Sequence, residues 1–233
     1  MRIVVALPLV AACASDHGIT GLCGREQEGF DIEEVSVLQD AQAYIGMHDA
    51  VVLDLDPEMV PAGSVWRVRS VEILPMIGAS FFDFYPDGQR VSVEVWDGTD
   101  PTATAPFKVT QTFDKGALVW EDVFLSNPAS ALEQNQKQAW WRFDFGEVIP
   151  TSGMTRTQYL VGVVWEDSFD PTLGYSNFEL PCDRNWTDYD DGRGWVLNTG
   201  QTTGDECSWP MLKVNLEILT ESADCDGTSY DIE

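Results

Sequence analysis

Between Glu166 and Trp209 the chain gathers the side chains best suited to chemistry. Trp186, Tyr189 and Trp195 offer flat rings, and Tyr175 and Asn177 stand just upstream. Aromatic faces stack on the apolar faces of pyranose rings, while neighbouring Asp and Asn side chains accept hydrogen bonds from sugar hydroxyls. These five residues are therefore the candidate carbohydrate-binding set. The competing role for the three rings is to plug the end of a core, because Trp is usually largely buried. In the same stretch Asp188, Asp190 and Asp191 precede a Gly192 bend. Several hard oxygens in one short turn suit Ca²⁺, so the three are the candidate ligands of a structural calcium ion. The spacing is not that of an EF-hand loop, which needs a third alternate Asp and a distal Glu.

Catalytic signatures are missing. There is no GxSxG elbow, HExxH helix, Walker loop or Rossmann glycine fingerprint. Gly192-Arg193-Gly194 is too short to cradle phosphate. Of the two histidines, His17 falls in the N-terminal stretch, and no Ser or Cys nucleophile is marked out near His48. No catalytic residue is assigned. A glycosidase needs only two carboxylates, so with 39 acidic residues a hydrolase acting on polysaccharide stays as an alternative. Those 39 face 13 basic residues, for a net charge of −26. Such a surface repels nucleic acid and anionic lipid, which removes both as partners.

The chain opens with Met1-Arg2 and an uncharged apolar run from Ile3 to Ala12. As a helix this run spans about 15 Å, roughly half a bilayer core, so it is a secretory signal rather than a transmembrane anchor. Its end, Leu9-Val10-Ala11-Ala12-Cys13, resembles the lipobox of bacterial lipoproteins. The resemblance implies a signal peptide over 1–12, lipid on Cys13 and a tether over 13–30. The protein is then exported and held by its lipid at the bacterial outer membrane or cell surface, with no other membrane contact. Cleavage without lipidation would make it simply secreted. Five cysteines is an odd number for an exported chain. With Cys13 lipidated, Cys23, Cys182, Cys207 and Cys225 allow three pairings, of which Cys182–Cys207 with Cys23–Cys225 is favoured. The first bridge would close a loop of roughly 25 residues and contribute roughly 3 kcal/mol by limiting the unfolded chain. No CxxC spacing points to zinc.

The elements that must position these residues are strands. A domain over 31–225, with a tail over 226–233, fits one large β unit, and 44% hydrophobic residues suffice for its core. Alternation predicts strands over Val65–Ile73, Arg90–Trp96, Lys137–Val148 and Met211–Leu219. Trp66, Val68 and Ser70 share one face of their strand, and Trp141, Phe143 and Phe145 share one face of theirs, while Val91, Val93, Val95, Leu212, Val214, Leu216 and Ile218 face inward. Ser92, Glu94 and Trp96 face outward. Tyr159–Trp165 is apolar on both faces, as a central strand is. Phe81–Tyr85 is expected to pair with Arg90–Trp96 through a Pro86-Asp87-Gly88 hairpin. Asn127–Gln138 is the one candidate helix, capped by Asn127 with Pro128 at its first position. The total is about ten strands and at most one short helix, an all-β antiparallel sandwich.

The Trp66-x-Val68 strand opening, the Trp140-Trp141 pair and the late loop with Gly194, Trp195 and Trp209 resemble jelly-roll β-sandwich domains of secreted bacterial proteins, some of them similar to carbohydrate-binding modules. The resemblance covers about residues 31–219 and implies a jelly-roll-like fold outside the cytoplasm. The functional expectation is a non-catalytic envelope module that binds carbohydrate. The first alternative is an adhesion module for envelope proteins, which predicts an exposed apolar patch including Trp96 and Trp140.

Overall fold

The computed structural model describes residues 24–28, 37–39, 46, 48–55, 60, 63–124, 135–150, 152–167, 172–176, 184–197 and 211–219. Its strands in chain order begin with β1 (Gly24–Glu28), β2 (Val37–Gln39), β3 (His48–Asp54), β4 (Trp66–Ile73) and β5 (Pro75–Gly78). The middle of the chain supplies β6 (Arg90–Trp96), β7 (Phe107–Thr112), β8 (Glu121–Phe124), β9 (Asn135–Gln138) and β10 (Trp141–Asp144). The last are β11 (Gln158–Trp165), β12 (Thr172–Ser176), β13 (Asn185–Asp188), β14 (Val196–Leu197) and β15 (Leu212–Ile218). Every pairing among them is antiparallel.

Eight of these strands make the sandwich. They pair from the outside in: β1 with β15, β3 with β11, β4 with β10, and β6 with β7. That is one long ribbon folded on itself. Wrapping the ribbon brings β15 beside β4 and β11 beside β6. The results are a sheet ordered β1-β15-β4-β10 and a second containing β3-β11-β6-β7. Two interlocked Greek keys of this kind define a jelly roll, so the chain is an antiparallel jelly-roll-like β-sandwich. Strands β13 and β14 extend the second sheet past β3 to six strands. A third sheet, β2-β12-β5-β9-β8, grows from the ends of β4 and β10.

On β6 and β15 the inward residues are those that alternation marks; on β4 a register shift opposite Asn215/Leu216 puts Val71 and Ile73 in the core where a strict period of two from Trp66 and Val68 would put Ser70. Val91, Val93 and Val95 of β6 meet Val68, Val71, Phe143, Val214 and Leu216 of the opposing sheet in one buried cluster. The unpaired side of β7 is tied to β10 by a side chain: Gln111 Nε2 donates to the Arg142 carbonyl at 2.8 Å, and Trp141 Nε1 donates to Gln111 Oε1 at 2.9 Å. A sheet edge held this way is closed to further strand pairing.

Several local expectations are corrected. Phe81–Tyr85 is not a strand. Phe82–Phe84 forms a single 3-10 turn, and the carbonyls of Phe82 and Tyr85 accept from Lys115 Nζ instead of from β6. Pro86-Asp87-Gly88 therefore joins no hairpin. Asn135–Gln138, the end of the expected helix, is strand β9, because pairing to both β5 and β8 outweighs its polar, helix-compatible composition. The rest of that segment lies outside the described residues. Gly24–Glu28, within the expected tether, is β1 and covers the free edge of β15. The long stretch after Glu166 contains β12, β13 and β14. Ser92, Glu94 and Trp96 face outward as expected but are buried. An exposed apolar patch therefore cannot include Trp96.

The centre of the second sheet depends on one small residue. Gly162 of β11 has its neighbours so close that a Cβ there would lie 3.0 Å from both the Trp96 ring and Ala50 Cβ, and 3.1 Å from the Asp49 carbonyl. Glycine within a strand marks such an approach. Gly162→Val is expected to destabilise the fold by about 3 kcal/mol, measured by urea unfolding. An unchanged midpoint would show that Trp96 does not lie fixed across β11.

Candidate functional site

The outer face of the six-stranded sheet collects most of the functional side chains. Cross-strand register sets Asp188, His48, Val164, Ser92 and Thr110 in one row. The next row holds Trp186, Ala50, Gly162, Glu94 and Lys108, and the third holds Val52, Leu160 and Trp96. Because alternate residues of a strand share a face, polar Ser92, Glu94, Lys108 and Thr110 on β6 and β7 meet apolar Ala50, Val52, Leu160 and Val164 on β3 and β11.

The apolar part is roofed by aromatic rings. Ala50, Val52, Trp96 and Leu160 form a small buried cluster, and the half-buried Trp186 and Trp195 pack on it. Trp195 meets Trp96 edge-to-face, with centroids 5.5 Å apart and planes at 89°, and meets His48 similarly at 5.3 Å and 77°. Of the three candidate rings, then, two cover this cluster and keep part of their surface free. The third, Tyr189, is 43% exposed and lies under the Arg193 guanidinium, 5.6 Å from its centroid.

The polar part is one connected network. His48 Nδ1 stands 3.2 Å from Glu94 Oε2. Lys108 Nζ lies 3.4 Å from Glu94 Oε1 and 2.6 Å from Glu166 Oε1. Ser92 Oγ donates to Glu166 Oε1 at 2.7 Å, which leaves Thr110 to donate to Ser92 at 2.6 Å. Glu94 is only 4% exposed and Ser92 is fully buried. Burial pulls the Lys108 pKa down, but hydrogen bonding to Glu166 and the charges of Glu94 and Glu166 outweigh it, leaving a net rise. Burial pushes the Glu166 pKa up, but hydrogen bonds from Lys108 and Ser92 overcome this and hold it below the ordinary value. Next to it Asp167 is also lowered, by hydrogen bonds from the side chain and backbone of Arg90. The ledge thus consists of donors and acceptors that fix one another, with Lys108 shared between two carboxylates.

In the acidic turn the carboxylates make local bonds. Asp188 Oδ1 accepts from the Asp190 backbone N–H at 2.9 Å. Asp191 is engaged by Arg193, through Nε at 2.7 Å and through its backbone N–H. Asp190 has a left-handed φ of 53°, and its carboxylate lies over Gly46. Among the described residues no three His, Cys, Asp or Glu side chains gather as ligands. The Asp188, Asp190 and Asp191 side chains fold the loop and dock it on the Gly46 turn. Tyr175 lies in β12, its backbone paired with Leu38 of β2 in the five-stranded sheet, and so is not on this face. Asn177, Cys13, Cys23, Cys182, Cys207 and Cys225 lie outside the described residues.

His48, Ser92, Glu94, Lys108, Thr110 and Glu166 were not among the candidates. A signal for them exists in the sequence. Where β11 is apolar on both faces, its neighbours' outward polar residues must also be covered, and covered polar residues must pair.

Removing Lys108 tests the network. Lys108→Met leaves Glu94 buried with His48 as its remaining partner, at an expected cost of about 2 kcal/mol near neutral pH, less than for a fully buried pair because the ammonium is partly solvated. Glu166, held low, contributes stability above about pH 4.3 and loses it as pH falls through its folded pKa. Lys108, held high, contributes below about pH 10.4 and loses it as pH rises through its folded pKa. The stability difference between wild type and variant, followed by urea unfolding, should therefore be a plateau that shrinks at both ends. A flat difference across pH would mean the ion pairs contribute nothing.

The chain matches no known protein family, no curated protein and no solved structure. Its place among the antiparallel jelly-roll-like sandwiches rests on its own strand order.

Proposed function

We propose that this protein is a non-catalytic binding module that takes carbohydrate on the outer face of its six-stranded sheet. The observation that carries this reading is the partly free ring of Trp195, beside Trp186 and next to the Glu94–Lys108–Glu166–Ser92 ledge. A sugar presents an apolar face and a rim of hydroxyls, and this surface offers a ring and a rim of fixed donors and acceptors. An exported, lipid-anchored module, held through Cys13, remains part of the proposal on the strength of the sequence.

Hydrolysis fits the ledge less well. Glu94 and Glu166 hold the same ammonium, so they are as close as a glycosidase pair. A general acid, however, needs a carboxyl held protonated, and Glu166 is pushed the other way. An adhesion role has its own support in Phe81 and Phe84, 63% and 84% exposed on a turn braced by Lys115.

The purified protein should be retarded in affinity gels containing at least one member of a neutral polysaccharide panel. Trp195→Ala should weaken that retardation about tenfold or more, a loss of roughly 1.4 kcal/mol, while a thermal melt confirms that the variant is folded. No retardation by any member, or equal retardation of wild type, Trp195→Ala and Trp186→Ala, would remove carbohydrate from this face. A Phe81→Ser/Phe84→Ser double variant serves as control, since it should lose only protein adhesion.

A further inference from the structure

A second feature lies away from the six-stranded sheet. Strands β4 and β10 pair at Ile73–Trp141, and β5 and β9 pair at Met76–Gln138. Leu74, Ala139 and Trp140 are therefore the elbow of one ribbon, where it leaves the four-stranded sheet for the five-stranded one. A cleft of about 280 Å³ opens at this elbow. Leu74 and Ala139 are buried beneath it, and Trp140 is half-buried beside it. Glu72, Glu121, Gln138 and Lys213 are its polar lining.

The charges in the cleft are unbalanced. Glu72 is cross-strand from both Lys213 and Arg142. Neither forms an ion pair with it: the Lys213 ammonium sits 4.5 Å from the Trp140 ring centroid, and Arg142 bonds Asp144 at 2.8 Å. Neither Glu72 nor Glu121 forms an ion pair or side-chain hydrogen bond among the described residues. Two carboxylates thus face a cleft with an apolar floor and an indole wall.

We propose that this cleft binds a small organic ammonium ion, its charge between Glu72 and Glu121 and its carbons on Leu74, Ala139 and Trp140. Trp is the best aromatic partner for a cation, and Lys213 already places an ammonium on this ring. A hard metal ion would want six or more oxygens, which an aliphatic and aromatic floor does not supply. An anion would meet both the two carboxylates and the acidic field of the whole molecule. The volume lies just under the roughly 300 Å³ where drug-sized sites begin, so the ligand is small. The proposal is independent of carbohydrate binding on the six-stranded sheet.

The test titrates the full protein with choline chloride and, separately, with 3,3-dimethylbutan-1-ol, which keeps choline's shape without its charge. Binding is read by chemical-shift changes of the Trp indole N–H signals. Choline should bind saturably and more weakly at high salt, and the neutral analogue should bind about tenfold more weakly or worse. Glu72→Gln and Glu121→Gln should each weaken choline about tenfold, while Trp195→Ala, on the other face, should change nothing. Any of three results overturns the proposal: no saturable choline binding, equal binding of the neutral analogue, or choline binding that survives both Glu variants or depends on Trp195.

Discussion

Strand β11 turns neither face to water, and the architecture follows from that constraint. Its Tyr159, Val161, Val163 and Trp165 side enters the sandwich core. Its Leu160 and Val164 side is buried as well. A jelly roll of eight strands would leave that outer side wet. Burying it needs extra material, which the insertion between β11 and β15 supplies as β13, β14 and the Trp195 loop. Gly162 lets Trp96 lie across the strand, and Trp186 and Trp195 then pack over Ala50, Val52 and Leu160. Apolar surface removed from water by these rings offsets part of the cost of ordering their loop. The binding ledge exists because the roof stops partway, at the polar residues of β6 and β7.

The scarce cations show the same economy. The chain has 13 Lys and Arg against 39 acids, so a cation placed inside the fold is one the surface lacks. Arg67 points outward from β4, yet is buried under the loop from Gly146 to Ile149. There it donates to Glu217 at 2.6 Å and to the Gly146 and Ile149 carbonyls at 2.9 and 3.2 Å. Lys108 joins Glu94 to Glu166. Lys115 gathers two carbonyls of the Phe82 turn while its own backbone N–H donates to Asp87. Each sits where a loop crosses a sheet face or another loop, and each satisfies several acceptors at once. A buried pair contributes little net stability against apolar replacements, but breaking one leaves an uncompensated charge. These cations therefore hold loops in register more than they stabilise the fold outright, and they leave the exterior acidic.

How far the sequence predicts this structure depends on which force decides each element. Where a strand buries one face, alternation gives it away: β6, β10 and β15 are read with the right residues on one face, and β11 with both faces apolar, whereas β4 keeps the rhythm only to Val68, because a register shift brings Val71 and Ile73 into the core in place of Ser70. Where backbone pairing alone decides, there is little to read. Gly24–Glu28 is a strand because β15 has an edge to cover, and Asn135–Gln138 because β5 and β8 flank it. Neither has an apolar rhythm. The site divides the same way. Trp186 and Trp195 stand out by residue type. The ledge does not, because His48 and Glu94 are 46 positions apart and Ser92 and Glu166 are 74 apart. Only the strand order, pairing β3 with β11 and β11 with β6, brings them together. In the acidic turn the legible part is local: Asp readily bonds the backbone two residues on, and here Asp188 and Asp191 do so.

Both candidate sites lie where additions meet the eight-strand frame, and neither lies on the frame alone. The sheet-face ledge forms where β13 and the loop after it are laid along β3. The elbow cleft forms where β4 and β10 run on into β5 and β9. A bare jelly roll presents two smooth outer faces, whose alternating side chains stand into solvent without neighbours to fix them. Each addition provides the missing wall, so carboxylates that would be freely solvated instead stand against a ring: Glu94 near Trp195, through His48, and Glu72 near Trp140. The two walls leave the carboxylates differently engaged. On the sheet face Lys108 bridges Glu94 and Glu166, which fixes their oxygens for a hydroxyl-rich ligand. At the elbow the Lys213 ammonium lies on the Trp140 ring and Arg142 bonds Asp144, so neither forms an ion pair with Glu72.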